Sequence, residues 1–271
     1  MLNSKPLNNL VFLDIETVPQ HKSFFDMSKT MQGLFLKRFK RDSEKLTGVE
    51  MDEFNPDALN TPELAPEVEI LYQTKAPLQT EFLKICCISI GFFKTKLPVD
   101  ILTKPDPSLE LEFITKSFSS EDEKALLEKY REASDSILNK GFNHSYHLVA
   151  HNGLNFDFPV IAKRMLLNGM ECPPFFDISG KKPWDIAHLL CTKEAWRFGV
   201  YDANVSLPLL CEVFGIPTSK DDIDGSQVRN VYYEDKDVAR IATYCEKDVL
   251  ATATLYLRMK LISNKIIHTK S

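Results

Sequence analysis

No apolar run in the chain approaches the roughly 20 residues that a helix needs to span a bilayer, so a membrane-spanning helix is excluded. Residues 1 to 9 lack the charged-then-apolar layout of a secretory signal, and a cytoplasmic protein with no membrane partner is expected. No internal repeat and no flexible Gly/Ser linker is present, which leaves a single domain over 1–271 as the expectation. The 6 cysteines include no C-x-x-C pair and no Cys/His cluster of zinc spacing. They read as small apolar residues in a reducing compartment. With 10 Gly, 15 Pro and 26% charged residues, the chain is neither collagen-like nor globally disordered. A basic excess is also missing. The formal net charge is -5, whereas nucleic-acid partners usually select basic surfaces. Acids gathered at a metal site alter that argument, because bound cations change the local sign.

What is present is 44% hydrophobic residues, enough for a full core. Val11 to Thr17 reads as a buried strand ended by Val18-Pro19. Phe24, Phe25, Met27, Met31, Leu34, Phe35 and Phe39 recur at helical spacing, with a basic end at Lys37, Arg38, Lys40 and Arg41. Residues 42–62 read as a long loop and Leu64 to Tyr72 as a short helix. Residues of about 20–80 therefore form a helical and loop insertion, a possible docking surface for a protein partner. Strands are expected at Phe82–Phe93, Val99–Thr103, Leu109–Phe118 and His147–His151. Helices are expected from a Ser119/Ser120 cap to about Lys140, and over Phe158–Leu167 and Leu207–Phe214. A last helix runs from Asp235 or Asp237 to about Ile262, and Pro183–Leu190 reads as a strand or a turn. The alternation indicates an α/β sandwich with a mixed sheet.

Three stretches carry chemistry. Asp14 and Glu16 interrupt the first strand two residues apart and so share one face. Two like charges on a buried strand raise at least one pKa unless a cation sits between them, and a divalent metal with oxygen ligands is the simplest reason for the pair. His151-Asn152-Gly153-Leu154-Asn155-Phe156-Asp157 joins a strand end to a helix start; alone, Asp157 there reads as a cap. Tyr244 and Asp248 are four apart on the last helix and point the same way, on a face whose neighbours Ile241, Cys245, Ala251 and Leu255 pack inward.

D-x-E-T, then N-x-x-x-F-D, then Y-x-x-x-D resemble, in order, the three motifs of the DEDDy 3′–5′ exonucleases. The resemblance is to the exonuclease domain of family-B DNA polymerases and its stand-alone relatives, over about Leu10 to Leu257. It implies an RNase H-like fold, three-layer α/β/α with a central mixed sheet of five to six strands. It implies a phosphodiester hydrolase that removes nucleoside 5′-monophosphates from single-stranded 3′ ends by a two-metal-ion mechanism, DNA favoured over RNA, with proofreading or DNA repair as the setting. Asp14, Glu16, Asp157 and Asp248 would bind two divalent cations, Mg²⁺ or Mn²⁺, with Tyr244 orienting the attacking water. Thr17, Asn152 and Phe156 would touch the terminal nucleotides.

Weaker candidates are His144, His147 and His188 as ligands and Asp222 or Asp224 near substrate; Asp185 reads as a turn cap. Two rival readings stand: a non-catalytic nucleic-acid-binding or scaffold module on the same fold, and an oligoribonuclease or endonuclease.

Overall fold

A computed structural model describes residues 5–48, 59–94, 109–135, 146–200, 205–217 and 222–271. The elements run β1 (Leu10–Pro19), α1 (Lys29–Arg38), α2 (Lys40–Thr47), α3 (Ala65–Lys75), β2 (Leu83–Lys94), β3 (Leu111–Ser119), α4 (Glu123–Ser134), β4 (His147–Ala150), α5 (Asp157–Leu167), β5 (Leu189–Cys191), α6 (Thr192–Arg197), α7 (Leu207–Val213), α8 (Val228–Asn230), α9 (Val238–Met259) and β6 (Ile266–Lys270). The strands form one six-stranded mixed sheet of order β5-β4-β1-β2-β3-β6. β4 pairs parallel with β1 and β5, β3 antiparallel with β2, and β6 parallel with β3. Among the described residues no helix is long and apolar enough to cross a membrane.

The chain packs as two compact units. The first comprises Met1–Glu16, Ile85–Gly225 and Asp237–Ser271. Its layers follow from strand parity. On β3, Phe113 and Phe118 are an odd number of residues apart and point to opposite faces. Phe113 joins Phe12, Val249, Ala253 and Tyr256 in one core, so α9 covers that face. Phe118 meets Tyr130 of α4 edge to face, with ring centroids 5.7 Å apart, so α4 covers the other. The fold is α/β, RNase H-like and three-layered. Gly91 is what lets α9 lie close: a Cβ there would stand 2.4 Å from Phe113 Cζ and 2.8 Å from Val249 Cγ1. On the opposite face, buried Glu123 opens α4. Its carboxylate accepts from the Ile85 amide (2.7 Å), Arg164 Nε (2.9 Å) and Nη2 (2.5 Å), and Asn168 Nδ2 (3.0 Å).

The second unit, Thr17–Lys84 with Ser226–Lys236, has a core of its own. Phe24, Phe35, Tyr72 and Phe82 pack mostly edge to face, and Val68 and Leu59 close the cluster. Glu69 fixes its entry by accepting from the Ser23 hydroxyl and, at 2.9 Å, from the Phe24 amide.

Several boundaries differ from expectation. Residues 42–47 are helical in α2 rather than loop: Lys40 and Glu44 pair at i,i+4 (3.6 Å), and Gly48 ends the helix in the left-handed region at φ 69°. α4 is capped by Asp122, not by Ser119 or Ser120, because the Asp122 carboxylate reaches the amides of Lys124 and Ala125. Pro183–Ile186 is a 3₁₀ turn, and the strand follows it as β5. The strand expected at Val99–Thr103 and the end of the helix near Lys140 fall outside the described residues.

Arg164→Met should lower stability by about 3–5 kcal/mol in chemical denaturation, because it leaves the Glu123 charge buried without its guanidinium. A loss under about 1 kcal/mol would contradict that role.

Candidate active site

On β1, Leu10, Phe12, Asp14 and Glu16 share a face. The first two belong to the core beneath α9. Moving along the strand, the α9 partner changes from Tyr256, in ring contact with Phe12, to Cys245. The Cys245 thiol donates to Asp14 at its carbonyl (3.4 Å) and at Oδ2 (3.5 Å). The hydrophobic period of the strand therefore turns into a carboxylate pair without leaving the face. Asp14 is half-buried and Glu16 only 9% exposed.

Asp157 reaches the same place through a short strand and a tight loop. The β1–β4 register runs Leu10–Phe12 against His147–Val149, which leaves the Ile15 amide beyond the paired stretch. The Asp157 carboxylate accepts that amide together with its own. The intervening loop is braced at both ends. The His151 ring bonds Thr192 Oγ1 and the Val205 carbonyl, both at 3.0 Å. The Asn152 carbonyl accepts from the Asn155 and Phe156 amides, both at 3.0 Å. A Cβ on Gly153 would meet the Phe158 ring at 2.4 Å, so only glycine lets the turn close onto α5.

α9 supplies the rest. Asp237 caps it by accepting from the Arg240 amide (2.9 Å). One turn on, the Tyr244 hydroxyl donates to Asp248 at i+4.

These acids oppose one another's ionisation. Burial first, then Asp157, Glu16 and Asp248, hold the Asp14 carboxyl well above the usual carboxylate range. Burial, then Asp248, Cys87 and Asp157, do the same to Glu16. Burial pushes Asp157 up to about 7 against the two amides that favour its charge. Tyr244 is raised by burial and then by Asp248, Glu16 and Asp14, which keeps the phenol protonated at neutral pH.

A divalent cation fits this donor set. Glu16 is nine-tenths buried, yet its carboxylate receives no hydrogen bond from any described residue. Its ligand atom lies within 4.8 Å of those of Asp14 and Cys245.

Residues 80–271 match the family described as a predicted 3′–5′ exonuclease related to the exonuclease domain of PolB. The chain belongs to that family. No curated protein matches it. Membership in this exonuclease family makes nucleic acid the substrate class. The matched stretch contains Asp157, Tyr244 and Asp248 and begins after Asp14 and Glu16.

The remaining candidates fall as follows in this exonuclease-family chain. Asn152 is half-buried, with its side-chain oxygen 3.5 Å from Asn155 Nδ2. Phe156 is half-buried, while Phe158, in the first turn of α5, is fully buried. Thr17 belongs to the second unit, where its hydroxyl donates to the Pro77 carbonyl (2.7 Å). His147 and His188 are engaged by the carbonyls of Ala187 and Phe175, and His144 lies outside the described residues. Asp185 accepts from the Lys182 amide. Asp222 is paired with Arg240 at 2.7 and 2.9 Å, and a Cβ on nearby Gly225 would stand 4.0 Å from the Tyr244 hydroxyl. Cys245 and Cys87 were not legible as site residues. The only available signal was that Cys245 precedes Asp248 by three and so shares its helical face.

The raised carboxyls fix a pH dependence. Between pH of about 4 and about 7 the folded, metal-free protein holds protons that the unfolded chain has lost, so its stability falls as pH rises through that window. Asp157→Asn removes one of the opposed charges and should stabilise the metal-free protein by about 1–3 kcal/mol at pH 8, with little effect at pH 4. Urea midpoints in EDTA at both pH values check this, and an equal effect at both would contradict it.

Proposed function

We propose that the protein is a metal-dependent 3′–5′ exonuclease acting on single-stranded nucleic-acid 3′ ends, DNA before RNA, and releasing nucleoside 5′-monophosphates. The observation that carries this reading is the convergence of β1, α5 and α9 on one group of carboxylates that oppose one another's ionisation, beside a phenol bonded to one of them. Asp14, Glu16, Asp157 and Asp248 would hold two divalent cations, Mg²⁺ or Mn²⁺, in the DEDDy arrangement. When bound, such ions activate a water and neutralise charge on the departing oxygen.

The chain's own residues do the positioning. Tyr244 stays protonated and is fixed by its bond to Asp248. It can therefore hold the incoming water in line but cannot remove its proton as a base. The Ile15 amide and the Cys245 thiol keep Asp157 and Asp14 from turning away. In the net reaction the water oxygen joins phosphorus, the P–O3′ bond breaks, and a proton ends on the released 3′ oxygen. Asn152 and Phe156 would contact the terminal nucleotides. The half-buried Phe156 ring suits sequence-tolerant stacking on a base. A protein partner is proposed for residues 20–80, where Leu34, Ile70 and Leu78 are exposed.

Degradation of a labelled single-stranded oligonucleotide, with products resolved by size, tests the reading. Wild type with Mg²⁺ or Mn²⁺ should release mononucleotides from the 3′ end. Asp14→Ala and Asp157→Ala should abolish release, and Tyr244→Phe should lower kcat by about 10–100-fold through lost orientation. Internal fragments, or undiminished release by both alanine variants, would overturn it.

A further inference from the structure

The Cys245 thiol, which steadies Asp14, stands among the carboxylates, and a second thiol, Cys87, lies beside them. Parity puts Cys87 on the face of β2 shared with Ser89, Gly91 and Phe93, which is the face under α9. Its thiol lies 3.6 Å from Ser89 Oγ. Cys245 Sγ stands 3.5 Å from Asp14 Oδ2. Ligand atoms of Asp14, Glu16 and Cys245 all lie within 4.8 Å of one another. A tetrahedral zinc ion with sulfur at about 2.3 Å and oxygen at about 2.1 Å separates those two donors by about 3.6 Å, so the Cys245–Asp14 spacing already matches one edge of the tetrahedron. Glu16 is nine-tenths buried, accepts no hydrogen bond from any described residue and faces the same corner.

We propose that Cys245, Asp14 and Glu16, with a solvent molecule as fourth donor, form a site for a thiophilic divalent cation such as Zn²⁺ or Cd²⁺, and that its occupation inhibits the nuclease by removing the two β1 carboxylates from the reaction. Mg²⁺ has no use for thiolates and prefers six oxygens, whereas thiolate donors select Zn²⁺ and its heavier analogue. The coordinating thiol gives its proton to solvent as the metal–sulfur bond forms. Inhibition rests on the exonuclease reading; binding does not.

The test is titration of Cd²⁺ into the reduced, metal-free full chain, followed by the ultraviolet thiolate-to-cadmium band, beside Zn²⁺ titration of Mn²⁺-dependent oligonucleotide degradation. The expected result is a band that saturates at one equivalent. Cys245→Ser should lose the band, and Cys172→Ser, a half-buried thiol elsewhere, should leave it unchanged. Asp14→Asn should weaken binding more than about tenfold. It carries the comparison if a cysteine variant fails to fold. Absence of the band in wild type, or an equal band in Cys245→Ser, overturns the site. A band without Zn²⁺ inhibition of an active enzyme overturns its inhibitory role. A band in a chain that degrades nothing under Mn²⁺ supports the site and counts against the exonuclease reading.

Discussion

Mutual repulsion among buried carboxylates is the constraint on which the rest of this structure depends. Asp14, Glu16, Asp157 and Asp248 come from three elements, and each raises the cost of ionising another. They stay together because the scaffold holds them by short, specific contacts. The Ile15 amide holds Asp157, the Cys245 thiol holds Asp14, and Tyr244 holds Asp248. Close approach of the layers makes those contacts possible, and two glycines permit it, Gly91 under α9 and Gly153 against Phe158. The opposing stability lies elsewhere, in the aromatic core around Phe12 and Phe113 and in the fully bonded Glu123–Arg164 pair on the other face.

Such an arrangement reads as a site kept ready for positive charge. Aliphatic residues on β1 and α9 would give a more stable metal-free protein. The chain instead places a nine-tenths-buried glutamate with no hydrogen-bond donor among the described residues beside an aspartate whose carboxylate accepts from a thiol. Local destabilisation of this kind is what function leaves in a fold.

Local period made much of this readable beforehand. The two-residue spacing of Asp14 and Glu16 and the four-residue spacing of Tyr244 and Asp248 each define a face without any knowledge of the fold. The strand–turn–helix around Asp157 was readable as a pattern, but its bond to the Ile15 amide was not, because that depends on where β4 stops pairing. Polar stretches misled most. α2 has almost no apolar stripe and gains its helix from ion pairing and the Gly48 cap. β6 is a short edge strand with little alternation, and α6 is only six residues long. In the sequence Cys245 reads as a small apolar side chain, and a contact across 231 positions reveals its carboxylate neighbour. The two-unit division was equally illegible: α8 and the turn after it lie about 150 residues from the segment they pack with, and composition carries no trace of that return.

Proton release on metal binding tests the central claim most directly. Mn²⁺ binding to the EDTA-treated protein can be followed by calorimetry near pH 6.5 in buffers of different ionisation enthalpy. If the carboxyls are held protonated by one another, cation binding must expel those protons, and the observed heat will change with the buffer while two ions bind. Binding whose heat is the same in every buffer, or no binding at all, would contradict a cluster poised against its own charge.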